Sequence, residues 1–503
     1  MRLTVHEIRL TQHYVWRSAR EAIAVQPALL VEVAQDGQAG YGEASAFMTS
    51  RYNSGLDAMH AALRRVAPTL STLDASDPAL VWRTLAPSLV DSPFVLAAVD
   101  GAVNDLRARL AGVPLWRSLG LTEPTNLRSS YSIGLDEPEV MVAKLLGRPG
   151  FATYKVKISD PSDLGILAAL REHTEAPFLV DGNCGWRLEP TLDALGDLAK
   201  LGVVLLEQPF NRDNWPQART LREAAPFPIF ADESITGPAD LDTCVDAFDG
   251  VNIKPMKAGG ITPALAMLRR ARQLGLGTML GCMPESAAGV SATAHLGGLA
   301  DHLDIDSLVL LDVNTGDGVR LADDGGVIFR DRPGTGYTPD WTTRAFTVRT
   351  VGPAVVRPVR HQVLRPGAAA RDLVYPGDDH PAARHFAAYT DGELVGSASS
   401  YREALPTEQV AAVRDAFGAD VAAAAAWRLR GMATLPQVRG QGTGAALLRT
   451  ALTCAVGMGA DLVWCNARTT AAGFYLRAGF EVIGAEYDIP GIGPHLFMIW
   501  RPA

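Results

Sequence analysis

The chain has 503 residues, too many for one ordinary domain, and 48% of them are hydrophobic, enough for two or three sizeable cores. A formal net charge of -9 with no long basic run argues against a nucleic-acid partner. With no run of 18 apolar residues and a polar, alternating start (Met1–Glu7), neither a membrane span nor a signal peptide is expected. The five scattered cysteines (Cys184, Cys244, Cys282, Cys454, Cys465) fit a reducing cytoplasm and no zinc pattern.

The first stretch alternates like an antiparallel sheet. Residues 28–33 read as a strand, Asp36-Gly37 as a turn, and Gly40-Tyr41-Gly42-Glu43-Ala44 as the start of another strand. Helical spacing follows over 56–70, 77–86 and 93–111, so residues 1–127 read as a separate α+β cap. From residue 128 candidate strands recur near 129–134, 153–158, 178–183, 203–209, 229–233, 250–254, 277–282 and 305–311. The clearest amphipathic helices lie between them, at 137–146, 162–173, 190–201 and 262–274. A repeat near 25 residues sustained about eight times favours a closed β/α barrel over an open sheet, and places the domain at 128–345. Residues 331–360 are rich in Pro, Gly and Arg, and 346–355 is read as the linker to a final domain at 356–503. The run Ala422–Ala426 is expected to end a helix or loop.

The barrel strands end in charges that buried strands do not ordinarily carry: Lys157, Asp181, Glu207, Asp232 and Lys254. Asp181, Glu207 and Asp232 are 26 and 25 residues apart, one per successive strand, so their carboxylates can converge at the C-terminal mouth of a barrel. Hard oxygen ligands of this kind suit Mg²⁺. Lys157 lies one strand before the trio and Lys254 one strand after, which would place two amines on opposite faces of a carbon held beside the ion. Near a cation and partly desolvated, each lysine is expected to have a lowered pKa and to act as a base. The ion would hold a substrate carboxylate and stabilise the enediolate formed when the neighbouring carbon loses its proton. Lys155 lies on the same strand face as Lys157 and is expected to hold a substrate oxygen or tune Lys157.

The set Lys155-Val156-Lys157, Asp181-Gly182-Asn183, Glu207-Gln208-Pro209, Asp232-Glu233-Ser234 and Asn252-Ile253-Lys254 resembles the enolase superfamily, and within it the muconate-lactonizing subgroup. Over residues 1–345 the resemblance implies an α+β capping domain and a modified (β/α)₇β TIM-type barrel, with Mg²⁺ on Asp181, Glu207 and Asp232 and an acid/base pair Lys157/Lys254. It does not imply one reaction, since the subgroup includes racemases, epimerases, cycloisomerases and dehydratases. Asp304-Ile305-Asp306, at the last barrel strand, matches the Asp-x-Asp with which dipeptide epimerases of the superfamily bind the substrate's α-ammonium group. Residues 130–134 (Ser-Tyr-Ser-Ile-Gly) and 281–286 (Gly-Cys-Met-Pro-Glu-Ser, with Glu285) also resemble those enzymes. One departure concerns the substrate side chain. On the cap loop Trp16-Arg17-Ser18-Ala19-Arg20-Glu21, Glu21 stands where Ala-Glu epimerases have an arginine, which puts Glu-containing dipeptides in question. Trp16, Phe47, Met48 and Tyr52 either line the side-chain pocket or belong to the core, and core is the preferred reading.

Farther on, Met432–Gly444 contains Arg439-Gly440-Gln441-Gly442-Thr443-Gly444, placed after a strand and before the apolar helical stretch Ala445–Leu448. Backbone N–H groups and a helix dipole would there face an anion. Together with strand Leu462–Arg468 and helix Ala471–Phe480 it resembles the GNAT acyltransferases. That resemblance implies acetyl-CoA or another acyl-CoA, with pyrophosphate at Arg439, Gly440, Gly442 and Gly444, pantetheine beside Met432–Thr434, and Tyr475 protonating the departing thiolate. No general base stands out; Glu403 and His495 are merely titratable. The reading is therefore a bifunctional cytoplasmic enzyme that epimerises a dipeptide and acylates an amine, with its oligomeric state left open. One alternative is an N-acylamino acid racemase (or a related dehydratase) coupled to the acyltransferase. The other is an epimerase with a CoA-sensing domain.

Overall fold

The computed structural model describes residues 1–17, 22–48, 53–341, 346–367, 369, 373–418 and 425–502. The chain forms two compact units, one of Leu10–Ala46 and Ala75–Thr343, the other of Met1–Arg9, Phe47–Asp74 and Arg344–Ala503. Arg20, Glu21, Tyr52 and Ala422–Ala424 lie outside the described residues.

In the first unit, the latter part of β1 (Arg2–Arg17) is followed by the hairpin of β2 (Ala22–Gln35) and β3 (Gln38–Ser45), which turns at Asp36-Gly37, both with positive φ. Strand β3 packs on helix α1 (Pro93–Leu110). A side chain at Gly40 or Gly42 would run into the α1 backbone at Ala102 or Ala98, so this strand meets its helix only because both positions are glycine. Eight parallel strands follow: β4 (Tyr131–Ile133), β5 (Tyr154–Lys157), β6 (Phe178–Asp181), β7 (Val203–Glu207), β8 (Ile229–Ala231), β9 (Gly250–Ile253), β10 (Gly277–Gly281) and β11 (His302–Asp304). They pair in chain order, and a parallel bridge between Ser129 and Leu303 joins the last to the first. The interior is plugged by Leu179, Leu205, Phe230 and Met279. The first three lie two residues before Asp181, Glu207 and Asp232, so strand alternation puts the carboxylates one layer above an apolar floor.

The sequence reading requires two corrections here. The eighth strand is His302–Asp304, and Ser307–Leu310, inside the expected strand 305–311, is helical. A Leu/Val run of this length is compatible with either state, and tertiary packing chose. Residues 346–355 are not a free linker: Phe346–Val351 is a strand, and a helix starts at Pro353.

His295 follows helix α2 (Ala287–Ala294) in this unit; it is buried and its Nδ1 lies 3.2 Å from the Trp116 N–H. Burial pushes its pKa down to about 4. Between about pH 6.5 and 4 the unfolded chain therefore takes up a proton that the folded chain refuses, and stability falls as pH falls. By pH 5 the loss amounts to about 2 kcal/mol. Urea unfolding of the parent and His295→Gln at pH 7.5 and pH 5 checks this: the variant should lose less stability on acidification, and equal slopes would refute it.

The second unit is a sheet with helices. Its strands β12 (Phe346–Val351), β13 (Arg384–Thr390), β14 (Glu393–Arg402), β15 (Ala426–Thr434), β16 (Leu462–Arg468), β17 (Glu481–Ile489) and β18 (Gly493–Trp500) pair in the order β17-β18-β16-β15-β14-β13-β12, and β12 pairs in turn with Glu7–Arg9 of β1. All of these pairings are antiparallel except β15–β16, which is parallel. Helix α3 (Thr407–Phe417) packs with Leu462, Trp464, Phe497 and Ile499 in one core cluster. Helix α4 (Thr443–Gly457) follows the glycine-rich turn and buries Leu447, Leu448 and Leu452.

Candidate functional site

The barrel mouth brings together the residues singled out by spacing. Lys157 pairs in register with Asp181, and Asp181 with Glu207, while Asp232 follows directly after β8. Asp181, Glu207 and Asp232 are all buried. Lys157 Nζ donates to Asp181 Oδ2 at 2.8 Å and to Asn183 Oδ1 at 2.7 Å, and Lys254 Nζ donates to Asp232 Oδ2 at 2.8 Å. The two lysines thus flank the trio, each tethered to its outer member.

Lys155 occupies the centre. It is 2% exposed, and its Nζ lies 2.7 Å from both Asp304 Oδ2 and Glu207 Oε2 and 3.6 Å from Asp181 Oδ2. Against burial, Asp232 raises Lys254, and Asp304, Glu207 and Asp181 raise Lys155 well above its ordinary value. The physical reason is proximity: buried carboxylates 2.7–3.6 Å away stabilise an ammonium more than desolvation destabilises it. In return, and again against burial, Lys157 and Lys155 lower Asp181, while Lys254 and Lys257 hold Asp232 well below the carboxylate range. Glu207 goes the other way, pushed up to about 7 by burial.

Among the described residues no three His, Cys, Asp or Glu side chains are drawn together tightly enough to grip an ion as they stand. The donor set nonetheless fits a divalent cation. Three buried carboxylates, all hard oxygen donors, sit at the ends of three adjacent strands.

Several residues that the spacing did not single out hold this arrangement. Gln208, at φ 35°, accepts from the backbone N–H groups of Asp232 and Ser234 at 2.9 and 3.0 Å and donates to Ser234 Oγ at 2.9 Å, setting the loop that carries Asp232. Lys257 Nζ donates to Asp232 Oδ1 and, at 2.7 Å, to the Asp232 carbonyl. Asn252 Nδ2 donates to Glu207 Oε1 at 2.9 Å. Their signal in the sequence was adjacency to a charged strand end, which by itself does not separate a positioning amide from filler.

Asp304 and Asp306 converge although Asp306 lies beyond β11. Ser132 Oγ reaches both, at 3.1 and 3.4 Å, and Ser130 Oγ donates to Asp304 at 3.0 Å. Burial and the charge of Asp304 push Asp306 up to about 7. Glu285 is buried, accepts from the Met283 N–H at 2.8 Å, and is pushed up to about 8 by burial and by Glu43. Glu43 itself caps α2, accepting from Ser286 N and Oγ and from Gly289 N. Trp16, for which core was preferred, is only part-buried, and Lys157 Nζ stands 5.5 Å from its ring centroid, so it belongs to the mouth. Phe47 is buried and Met48 is 74% exposed.

In the second unit, Gly440 and Gly442 adopt left-handed backbone (φ 76° and 82°), and Gly442 precedes α4. Arg439 is exposed and its Nε donates to the Thr434 carbonyl at 3.3 Å. A methyl at Gly444 would touch Phe474 and Thr434, so the turn, the end of β15 and Phe474 adjoin. Parallel pairing of β15 with β16 covers Ala426–Arg428 and stops there among the described residues. Tyr475 lies on the short helix Ala472–Arg477 against Phe474 and Phe480; burial raises its pKa. Glu403 is engaged by Arg428 at 2.8 Å, and His495 is buried with Nδ1 2.7 Å from the Gly493 carbonyl oxygen, so neither stands out as a base.

A cap, a parallel barrel with carboxylates and lysines at its C-terminal mouth, and a final sheet with a glycine-rich turn define an enolase-type chain with an acyltransferase-type extension. Comparison agrees. Residues 2–120 match the mandelate racemase / muconate lactonizing enzyme N-terminal domain, residues 140–343 the enolase C-terminal domain-like family, and residues 381–482 the acetyltransferase (GNAT) domain. The chain is 37% identical over 338 residues to the L-Ala-D/L-amino acid epimerase of Flavobacterium johnsoniae, which covers 67% of this chain and 99% of that one. It is 34% identical over 346 residues to the hydrophobic dipeptide epimerase of Roseobacter litoralis, covering 67% and 98%. The solved dipeptide epimerase of Methylococcus capsulatus, in complex with Mg and the dipeptide L-Arg-D-Lys, is 31% identical with a TM-score of 0.62, covering 67% of this chain and 100% of that one. The protein belongs to the mandelate racemase / muconate lactonizing enzyme family of the enolase superfamily and carries a GNAT domain at its C-terminal end.

Proposed function

We propose that this chain is a bifunctional enzyme of the cytoplasm. Its barrel epimerises a dipeptide at the carbon next to the free carboxylate, and its C-terminal domain transfers an acyl group from acetyl-CoA or another acyl-CoA to an amine. The proposed domains are the cap at 1–127, the barrel at 128–345 and the acyltransferase at 356–503. The observation that carries the reading is the pairing of two groups in one mouth. Asp304 and Asp306 share Ser132 on one side, and Lys157 and Lys254 flank three carboxylates on the other. The first can take an α-ammonium group; the second can handle a proton beside a carboxylate. The names of the relatives support the same reaction class.

Asp181, Glu207 and Asp232 would hold Mg²⁺, which supplies positive charge at the substrate carboxylate and so acidifies the α-proton. An ion there would also offset the charge of Asp232, which now stabilises the Lys254 ammonium, and so favour the free amine. Lys157 and Lys254 each hold one face of the α-carbon: one removes the proton and the other returns one from the opposite side. Asn183 and Asp181 aim Lys157, and Asp232 aims Lys254. The Trp16 ring stands 5.5 Å from Lys157 Nζ, where it can stabilise the charged form through its π face. Tyr475 would return a proton to the departing thiolate, with the pyrophosphate at Arg439, Gly440, Gly442 and Gly444 and the pantetheine beside Thr434.

Incubation with Mg²⁺ and pooled dipeptides in deuterated water tests the epimerase reading. Mass spectrometry should find dipeptides that gain one deuterium at the C-terminal α-carbon. Exchange confined to N-acylamino acids would instead favour racemisation of compounds made by the fused acyltransferase, a reading that explains the fusion but leaves Asp304 and Asp306 without a substrate ammonium group to bind.

A further inference from the structure

Arg430 is a part-buried guanidinium with no ion-pair partner of its own among the described residues. It lies on β15 two residues past Arg428, the last residue paired with β16, and immediately before Gly431, whose positive φ of 66° belongs to a bulge opposite Ser397–Ser399. Among the described residues it makes no hydrogen bond and no ion pair. It stacks at 4.0 Å over the Tyr375 ring and approaches the Tyr401 ring at 5.9 Å. The nearby carboxylates are taken. Asp378 receives Arg360 at 2.6 and 3.1 Å, and Glu403 receives Arg428 at 2.8 Å. Leaving an arginine part-buried and unpaired costs free energy that a bound anion would recover, and the flat guanidinium face on a tyrosine leaves its fork free for a bidentate carboxylate.

Two further polar groups, on the strands either side of β15, are unmatched. The Tyr401 hydroxyl is buried and has no hydrogen-bond partner among the described residues. Asn466 lies on β16 two residues past Trp464, where pairing with β15 ends, and its buried Oδ1 likewise has no partner among the described residues. A fork for a carboxylate and a carbonyl oxygen for an N–H together match one compound class. The phosphates of a CoA are not that anion: the glycine-rich turn begins beyond Thr434, and four strand residues from Arg430 to Thr434 already span about 13 Å.

We propose that Arg430 is the carboxylate receptor of the acyl-acceptor site, so that the amine acylated by the C-terminal domain belongs to an α-amino acid or dipeptide with a free carboxylate. This rests on the reading of that domain as an acyltransferase, and it makes the acceptor the same compound class as the substrate proposed for the barrel. In the transfer, the neutral amine nitrogen forms a bond to the acyl carbon and the C–S bond breaks. The nitrogen loses one proton and the CoA sulfur takes one; an acceptor that arrives as ammonium releases one more proton to solvent.

The test uses the full-length protein with acetyl-, propionyl- and succinyl-CoA and a panel of amino acids and dipeptides, each paired with its C-terminal amide, scoring N-acyl products by mass spectrometry. The free acids should be acylated and the amides poorly. Arg430→Gln should raise KM for the acids about 10- to 100-fold, the worth of a charged hydrogen-bond pair, with a smaller change in kcat and unchanged acetyl-CoA affinity. Arg430→Lys should restore part of the affinity. Amides accepted as well as acids, or an Arg430→Gln variant with unaltered KM, would overturn the proposal while leaving acyl transfer standing. No transfer to any amine would overturn both.

Discussion

Lys254→Ala is expected to lower kcat/KM for dipeptide epimerisation by at least about 10³-fold, as loss of a positioned proton-transfer group does, while still exchanging the α-proton of one of the two epimers with solvent deuterium. Lys157→Ala should show the same loss and exchange the other epimer. The argument is positional. Lys157 is anchored to Asp181 and Asn183 at 2.8 and 2.7 Å and Lys254 to Asp232 at 2.8 Å, so the two amines come from opposite ends of the carboxylate row. A carbon held between them offers one face to each, and removing one lysine leaves the remaining face able to lose and regain its proton without inversion. Magnetic resonance of each pure epimer in deuterated water separates the outcomes, with circular dichroism confirming that the variants fold. Two variants that retain exchange on the same epimer, or a variant that still epimerises, would refute opposed bases.

The second large effect is expected from Asp304→Asn combined with Asp306→Asn. Removing one partner of a buried charge pair typically costs about 3–5 kcal/mol, so turnover of dipeptides should fall by about two to four orders of magnitude, while N-acylated substrates with no ammonium group lose little. The pair is pre-built: Ser132 bridges it, and Ser130 and Lys155 hold Asp304. Its pH dependence has a definite sign. Burial and Asp304 push Asp306 up to about 7, so the carboxylate that attracts an ammonium predominates only above that pH. The kcat/KM for dipeptides should rise between pH 6 and 8, and the Asp306→Asn variant should lose that limb. A parent profile flat over this range, or equal losses for dipeptides and N-acylated substrates, would remove the case for an ammonium site.

Much of this site could be read before any coordinates. The 24-, 26- and 25-residue steps from Lys157 through Asp181 and Glu207 to Asp232 express a barrel in which each βα unit returns the chain to the next strand end. Strand alternation then orders the charges above Leu179, Leu205 and Phe230. Less legible were the groups that act through hydrogen bonds. Gln208 and Ser132 are ordinary polar residues until a backbone N–H or a carboxylate from a strand remote in sequence meets them. Trp16 was read as core because its companion, Lys157, comes 141 positions later.

The sequence by itself determined the barrel, the composition of its charged mouth and the presence of a second, acyltransferase-like fold, because periodicity and strand-end chemistry are local properties of the chain. Only the tertiary structure decided that Lys155 sits between Glu207 and Asp304, that Asp232 holds Lys254 as an ammonium ion, that 346–351 is a strand, and that Arg430 has no ion-pair partner among the described residues. Each of these depends on which distant groups share a low-dielectric space, where an ion pair or its lack at 3–4 Å outweighs any propensity carried by neighbouring residues.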